Sequence, residues 1–357
     1  MSRNRSRRWL LWLGVIVLAA IVAAVLALIS GSSGIPAGKV IRILSEHPSG
    51  LEGRIVWDIR FPRLLLGFAV GGALSLAGVL LQGMFRNPLV EPYTLGISGG
   101  AAVGVSLNIL WGFSGVGPGL VFLFPHGSQD SPNLLFATID RYWDWHLGLP
   151  LSGFLGACFV IFLLYLLSRR GRELPLQAML LTGVMLTFIS SSLMLLILAV
   201  SRTEDLQGIL FWIMGSLDEP DPVLIRIMIG ISLAGLGACY FFHADLNALA
   251  LGEEEARHLG IRVERTKRAF FIIASVLTGV SVAVAGVIGF VGLVVPHIMR
   301  GLVGRDARLL LVASFLAGGT FLVLCDTVAR TLIAPVELPV GVVTGLLGGC
   351  LFIYVLV

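Results

Sequence analysis

Three arginines and one acidic decapeptide are the groups in this 357-residue chain best suited to recognition chemistry. Arg60 and Arg63 frame Pro62, and Arg330 follows Ala329 shortly before the run Glu337-Leu338-Pro339-Val340-Gly341. A guanidinium is a planar fork of donors that keeps its charge, so it takes hold of a carboxylate or phosphate two bonds at a time. Arg60 and Arg63 stand three apart at an expected helix start, where one face can present both. The decapeptide at 251–260, LGEEEARHLG, reads as a short helix. Gly252 and Glu253 open it with Glu254 and Glu255 near the positive end of the helix dipole, Ala256 falls in its middle, and Leu259 and Gly260 close it, Gly260 as a left-handed cap. The residues alone divide evenly between a docking helix and an ordinary solvated loop carrying orientation charge.

Bond-making chemistry has no comparable candidate. There is no GxxxxGK[ST] loop, no pair of carboxylates inside an apolar run, and no Ser/His/Asp set that spacing supports. The six histidines are scattered, so no metal is expected, and the four cysteines sit singly inside apolar runs, as small hydrophobic fillers do. Asp326 and Glu337 lie close to the ends of apolar runs, and the runs are otherwise nearly free of ionisable groups. That speaks against a proton or ion relay, and places the energy source on another subunit.

What must position the arginines is a membrane. Hydrophobic residues make up 57% of the chain, charged residues only 13%, and the mean hydropathy is +0.95; a water-facing surface needs about a quarter of its residues charged. The fold class is therefore all-α and polytopic, with about ten spans of roughly 20 residues each. They fall at 9–29, 62–84, 93–111, 149–168, 175–200, 222–243, 269–288, 290–299, 309–328 and 340–357, in a single domain over 1–357. Pro62 suits the first turn of the second span. Between the spans lie a basic tail at 1–8, a polar segment at 31–59 with a short helix near 37–45, an extended loop at 113–148, an interfacial loop at 201–221 and a charged segment at 244–268. The Ser6-Arg7-Arg8 start resembles an export signal, but the apolar run after it is too long for a signal core. It is read as the first span, with the amino terminus in the cytoplasm. In the long loop, the aromatics Tyr142, Trp143 and Trp145 are expected to anchor at the membrane interface.

Counting Lys and Arg under this topology gives sixteen on the cytoplasmic side and eight outside, the bias expected of an inside amino terminus. The net charge of +4 is thus spent on orientation rather than on nucleic acid. Ala77-Gly78-Val79 precedes Pro88 by the interval that separates Ala285-Gly286-Val287 from Pro296. The two copies run in opposite directions, as in an inverted repeat of spans 2–5 and 7–10, although two glycine-rich helices can share an Ala-Gly by chance.

Taken in order, the chain resembles the iron-chelate and cobalamin uptake permeases, the ten-helix membrane subunits of type II ABC importers. The resemblance rests on Arg60-Phe61-Pro62-Arg63, Ala77-Gly78, Gln82, Arg86-Asn87-Pro88-Leu89, Glu91-Pro92 and Leu95-Gly96-Ile97-Ser98-Gly99-Gly100-Ala101. It continues through Leu251-Gly252-Glu253, Ala256, Leu259-Gly260, then Gly289 to His297, Arg300, Asp326, Ala329-Arg330 and Glu337 to Gly341. It implies that Arg60, Arg63 and Arg330 form outward pockets for glutamates of a periplasmic or lipid-anchored substrate-binding protein. It also implies that the helix at 252–260 seats in a cytoplasmic ATPase dimer, where ATP and Mg would be held, so that this chain binds no cofactor and is not itself an enzyme. The partners expected are a second copy of the chain, that ATPase, the binding protein and membrane lipid, in a bacterial or archaeal cytoplasmic membrane. The cargo expected is a ferric siderophore, with cobalamin or haem as the alternative and a stand-alone secondary carrier as the rival class. Gln82, Asn87, Pro88, Ser98, Gly99, Gly100 and Pro296 are candidate pathway or hinge residues, although Asn87-Pro88 can equally cap a span and the glycines can serve packing alone. The loop at 113–148 is longer than the link that the family resemblance leads one to expect.

Overall fold

The structure, a computed structural model, describes residues 3–31, 35–46, 50–111, 148–169, 171, 173–219 and 221–356. The extended loop at 113–147 and its aromatic cluster lie outside the described residues, as do the side chains of the basic tail and the whole of Arg170 and Arg172. Apart from isolated bridge residues at Glu173 and between Ile333 and Val336, all regular structure among the described residues is helical. In chain order the helices are α1 (Arg3–Ile29), α2 (Ala37–Glu46), α3 (Leu51–Arg54), α4 (Phe61–Phe85), α5 (Ile97–Trp111), α6 (Gly148–Ser168), α7 (Leu176–Val200) and α8 (Thr203–Ile213). There follow α9 (Pro222–Phe241), α10 (His243–Leu251), α11 (Glu253–His258), α12 (Val263–Ala285), α13 (Val291–Val303), α14 (Ala307–Thr331) and α15 (Val340–Leu356). Seven stretches are long and apolar enough to cross a membrane, and α5, α13 and α15 are shorter apolar helices that complete the ten expected.

Several boundaries differ from the sequence reading. Pro62 stands in the first turn of α4, but that turn is not a free helix start. The chain is helical from Leu51 to Phe85 without a break, and the turns from Ile55 to Arg60 widen to π geometry just ahead of the proline. A π segment changes which carbonyls the following amides face, so the missing N–H of Pro62 is accommodated without ending the helix. The segment at 201–221 contains α8, with Ile209 buried, rather than a loop alone. Val263 to Arg268 belong to α12, and Pro296 lies inside α13, which runs on to Val303. Asp221 caps α9, accepting from Val223 N at 2.7 Å, with Pro222 at the first helical position.

The packing is that of an inverted repeat. Helices α4–α7 correspond to α12–α15. The contacts α5–α6, α5–α7 and α6–α7 recur as α13–α14, α13–α15 and α14–α15. Across the halves, α4–α14 and α4–α13 recur as α12–α6 and α12–α5, and α4 packs on α12 at the centre. The copies are antiparallel: α4 ends beside α10, the element leading to α11, whereas α12 begins just after α11. The spaced Ala-Gly-Val and proline, however, do not mark equivalent places. Gly78 is mid-helix and Pro88 lies beyond the end of α4, while Gly286 terminates α12 and Pro296 is inside α13.

Glycine makes the central packing possible. A Cβ on Gly78 would sit 1.9 Å from the carbonyl oxygen of Gly292, so α4 and α13 touch backbone to backbone. Gly71 and Gly318 bring α4 against α14 in the same way. The opposite pattern holds on α7, where Phe188 is 65% and Leu195 69% exposed, as suits a face turned to lipid or to another apolar surface.

Candidate functional site

The three singled-out arginines converge at one end of the bundle. Helix α4 supplies Arg63 from its first turn and Arg60 from the π segment before it, and α14 supplies Asp326 and Arg330, one turn apart. Arg63 donates from Nε to Asp326 Oδ1 at 2.9 Å and from Nη1 to Glu337 Oε2 at 2.8 Å. Arg330 Nε donates to the other oxygen of Asp326, also at 2.9 Å. One carboxylate, only 3% exposed, therefore holds two guanidinium groups.

The remaining donors go to the end of α1. Arg60 Nη1 donates to the carbonyls of Leu28 at 2.6 Å and Ile29 at 3.0 Å, and Arg330 Nη2 donates to Ala27 O at 3.3 Å. A helix ends with unpaired carbonyls and a partial negative charge, and two cations answer both needs. Arg60 and Arg63 thus do not share one presented face, as their spacing led one to expect. The π segment between and around them turns Arg60 to α1 and Arg63 to α14, and all three arginines are less than 10% exposed. Asp326 is the organising residue here. The sequence showed it as an acid near a span end and as part of the family pattern, with no role attached.

At the opposite end, the LGEEEARHLG segment forms as expected. Gly252 adopts φ 147° and ψ 158°, a region open only to glycine, and the chain reverses there from α10 into α11. Glu253, Glu254 and Glu255 occupy the first turn, Ala256 is fully buried, and Gly260 caps with φ 84°. Leu251 and Leu259 are 62% and 64% exposed, so an apolar face flanked by acidic side chains is left uncovered by the described residues. The base is tied by Lys267, 3% exposed, which donates to Leu174 O at 3.0 Å and pairs with Glu264 at 2.7 Å and Glu253 at 3.2 Å. The spacing shows only the Glu264 partner three residues back on the same helix; Leu174 and Glu253 come from two other segments.

The candidate pathway residues divide. Gln82 is buried, donating to the carbonyls of Gly292 and Leu293 at 3.1 and 3.3 Å and accepting from Arg300. Asn87 accepts from Leu89 N at 2.9 Å and so serves the turn after α4, with Pro88 exposed beside it. Gly99 packs against Ser190 of α7 and Gly100 against Gly156 of α6, while Ser98 is half-buried. Pro296 is buried in α13. Glu91 and Tyr93 carry more than the sequence gave them. Glu91 Oε1 accepts from Phe290 N at 2.5 Å and Tyr93 Oη accepts from Ile288 N at 3.1 Å, holding the break between α12 and α13. Phe290 sits at φ 69°, uncommon for a side-chain-bearing residue. Of the cysteines, Cys239 and Cys325 are buried fillers, Cys158 is half-buried, Cys350 is exposed, and all four are free.

An inverted helical repeat, glycine-broken short helices and a protruding acidic helix define a polytopic permease of the type II ABC importer class. The chain belongs to the FecCD transport family, whose model matches residues 18–357. It is 36% identical to the vitamin B12 import system permease protein BtuC of Klebsiella pneumoniae, over all of this chain and 95% of that one. It is likewise 36% identical to the hemin transport system permease protein HmuU of Yersinia pestis, over 84% of this chain and 83% of that one. Among solved structures, a metal-chelate type ABC transporter in an inward-facing conformation superposes with a TM-score of 0.76 at 29% identity, covering 98% and 99% of the two chains.

Proposed function

We propose that this permease passes a bulky metal chelate from a substrate-binding protein across the cytoplasmic membrane, driven by a separate ATPase dimer. The observation that carries the reading is the pairing of a full-length FecCD match with an uncovered acidic helix, α11, at one end of the bundle. Exposed Leu251 and Leu259 flank it, and such a face calls for a protein partner. That end is the cytoplasmic one in this reading, which follows the bias of Lys and Arg, and the amino terminus shares it. The translocation pathway runs at the axis between two copies of the chain.

Arg60, Arg63 and Arg330 mark the binding-protein end. Their guanidinium groups are engaged inwardly, so docking glutamates would take them by exchange, beginning at Glu337, which is 46% exposed and the accessible member of the cluster. For the cargo, a ferric siderophore is the first reading and cobalamin or haem the second. The second is favoured by the end-to-end similarity to vitamin B12 permeases and by the hemin permease.

Proteoliposomes containing the permease, its co-expressed ATPase and its binding protein test this directly. ATP-dependent accumulation of one labelled chelate among a ferric siderophore, cobalamin and haem is expected. Uptake that persists without any ATPase would mean a secondary carrier and overturn the proposal.

A further inference from the structure

A cavity of about 730 Å³ opens at the same end as α11, between the last turns of α4 and α13, the start of α14 and one face of α10. Its polar wall carries Arg86, Arg300 and Arg305 together with Gln82 and His297, and none of the described lining residues is acidic. Its other wall is apolar, including Val79, Leu246 and Leu310. The volume is that of an ordinary small-ligand site.

The charges here are not balanced from within. Among the described residues Arg86, Arg300 and Arg305 make no ion pair. Arg300 is half-buried and donates to the neutral amide oxygen of Gln82, and it feels the like charge of Arg305. Of the nearby carboxylates, Asp306 accepts from Arg308 N and Asn247, and Glu255 sits beside Gly252 close to Arg86 without forming an ion pair with it, so neither neutralises Arg300. A desolvated guanidinium without an anion is costly. The ends of α4 and α13 offer only the partial charge of their last carbonyls, which falls off within a turn.

We propose that this cavity is a binding site for a phosphate-bearing anion, with the headgroup of an anionic phospholipid as the favoured source. Arg300 and Arg305 hold the phosphate, and the apolar wall receives the glycerol and the base of the acyl chains. Basic pockets between membrane helices on the cytoplasmic side are where such headgroups bind. The site lies beside α10 and Gly252, so an occupant would brace the root of α11. The proposal uses the orientation given above, but its test does not depend on transport.

The full-length chain, purified in detergent, is titrated with short-chain phosphatidylglycerol, phosphatidylcholine and inorganic phosphate, with native mass spectrometry reporting retained lipid. One phosphatidylglycerol per chain is expected, bound about tenfold more weakly by an Arg300→Gln/Arg305→Gln double variant and unchanged in Arg308→Gln, which alters an exposed arginine outside the cavity. Saturable binding of inorganic phosphate that needs the same two arginines, without lipid retention, supports the site and assigns it a soluble ligand. Equal binding of the two lipids, or phosphatidylglycerol binding indifferent to the double variant, overturns it, as does binding of neither lipid nor phosphate. Thermal melts check that the variants fold. If the double variant does not, Arg305→Gln alone carries the comparison, since Arg305 is exposed at the rim.

Discussion

Arg63 and Asp326 lie 263 residues apart in sequence and meet at 2.9 Å, with the second oxygen of Asp326 given to Arg330. Because each half of the inverted repeat supplies one of these side chains, the contact fastens the halves together at one end. Removing the carboxylate leaves two buried cations facing each other.

Asp326→Asn is therefore expected to destabilise by about 3–5 kcal/mol, the cost of breaking a buried pair from one side. Glu337→Gln takes away a half-exposed partner of the same arginine and is expected to cost under about 1 kcal/mol. Thermal melts in detergent compare the two. Equal losses would mean that Asp326 is not the hub.

Docking by exchange makes a separate claim. Arg63→Glu and Arg330→Glu are expected to weaken association with the binding protein, with the loss greatest at low salt, where the attraction between the two approaching surfaces is least screened. Surface-immobilised permease titrated with binding protein at two ionic strengths measures this. Association indifferent to both substitutions sinks the docking assignment.

The backbone contact between Gly78 and Gly292 admits no side chain. Gly78→Ala should cost about 1–3 kcal/mol, as overpacking does. Gly230→Ala, where a Cβ would meet open space, should be neutral or stabilise by up to about 1 kcal/mol through helix propensity. Melting temperatures of the two variants, read against wild type, decide it.

At the α11 end, Gly260 carries no neighbour within 4 Å of a built Cβ. Gly260→Arg puts a side chain at a left-handed residue, φ 84°, at a cost of about 1–2 kcal/mol, and is expected to leave the permease folded while reducing ATP-driven uptake at least tenfold, because the new side chain stands where the ATPase would seat. Co-purification of the ATPase with the variant at wild-type yield, together with normal uptake, would remove α11 from the coupling role.

Glu219 gives a pH signature in the segment after α8. Burial pushes its carboxyl up to about 7, against the pull of the Asp221 N–H that it accepts, with the carboxylates of Asp221 and Asp218 adding to the rise. A raised carboxyl favours the folded state below its ordinary value of 4.5, and that advantage is lost as pH climbs through 7. The melting temperature of Glu219→Gln relative to wild type should therefore increase from pH 5 to pH 8. A constant difference would show that Glu219 does not titrate in this window.

The fold was legible in the sequence because spans are long apolar runs, and length alone separates a crossing helix from a loop. The helix at 252–260 was legible for the same local reason, a cap, an acidic first turn and a terminal glycine. What could not be read depends on distance in the chain. The partition of Arg60 to α1 and Arg63 to α14 follows from a π segment that no residue type announces. Glu91 and Phe290 meet across 199 residues, and Lys267 gathers partners from two other segments, at Leu174 and Glu253. The inverted repeat was found by a motif that turns out to fall at unequal places, while its true signature is the symmetry of the helix contacts.

The order of synthesis adds a constraint of its own. Helix α4 is the most enclosed of the long spans, 83% buried over its most apolar window, yet α12, α13 and α14, which enclose it, leave the ribosome later. The stretch between Phe85 and Val263 takes roughly 10–40 seconds to translate at ~5–20 residues per second. For that interval Gly71 and Gly78 of α4 face lipid or the insertion machinery without Gly318 and Gly292, the backbone partners that later close on them. A nascent chain stalled before residue 263 would present that bare surface to membrane proteases, and the second half of the chain acts as the chaperone of the first.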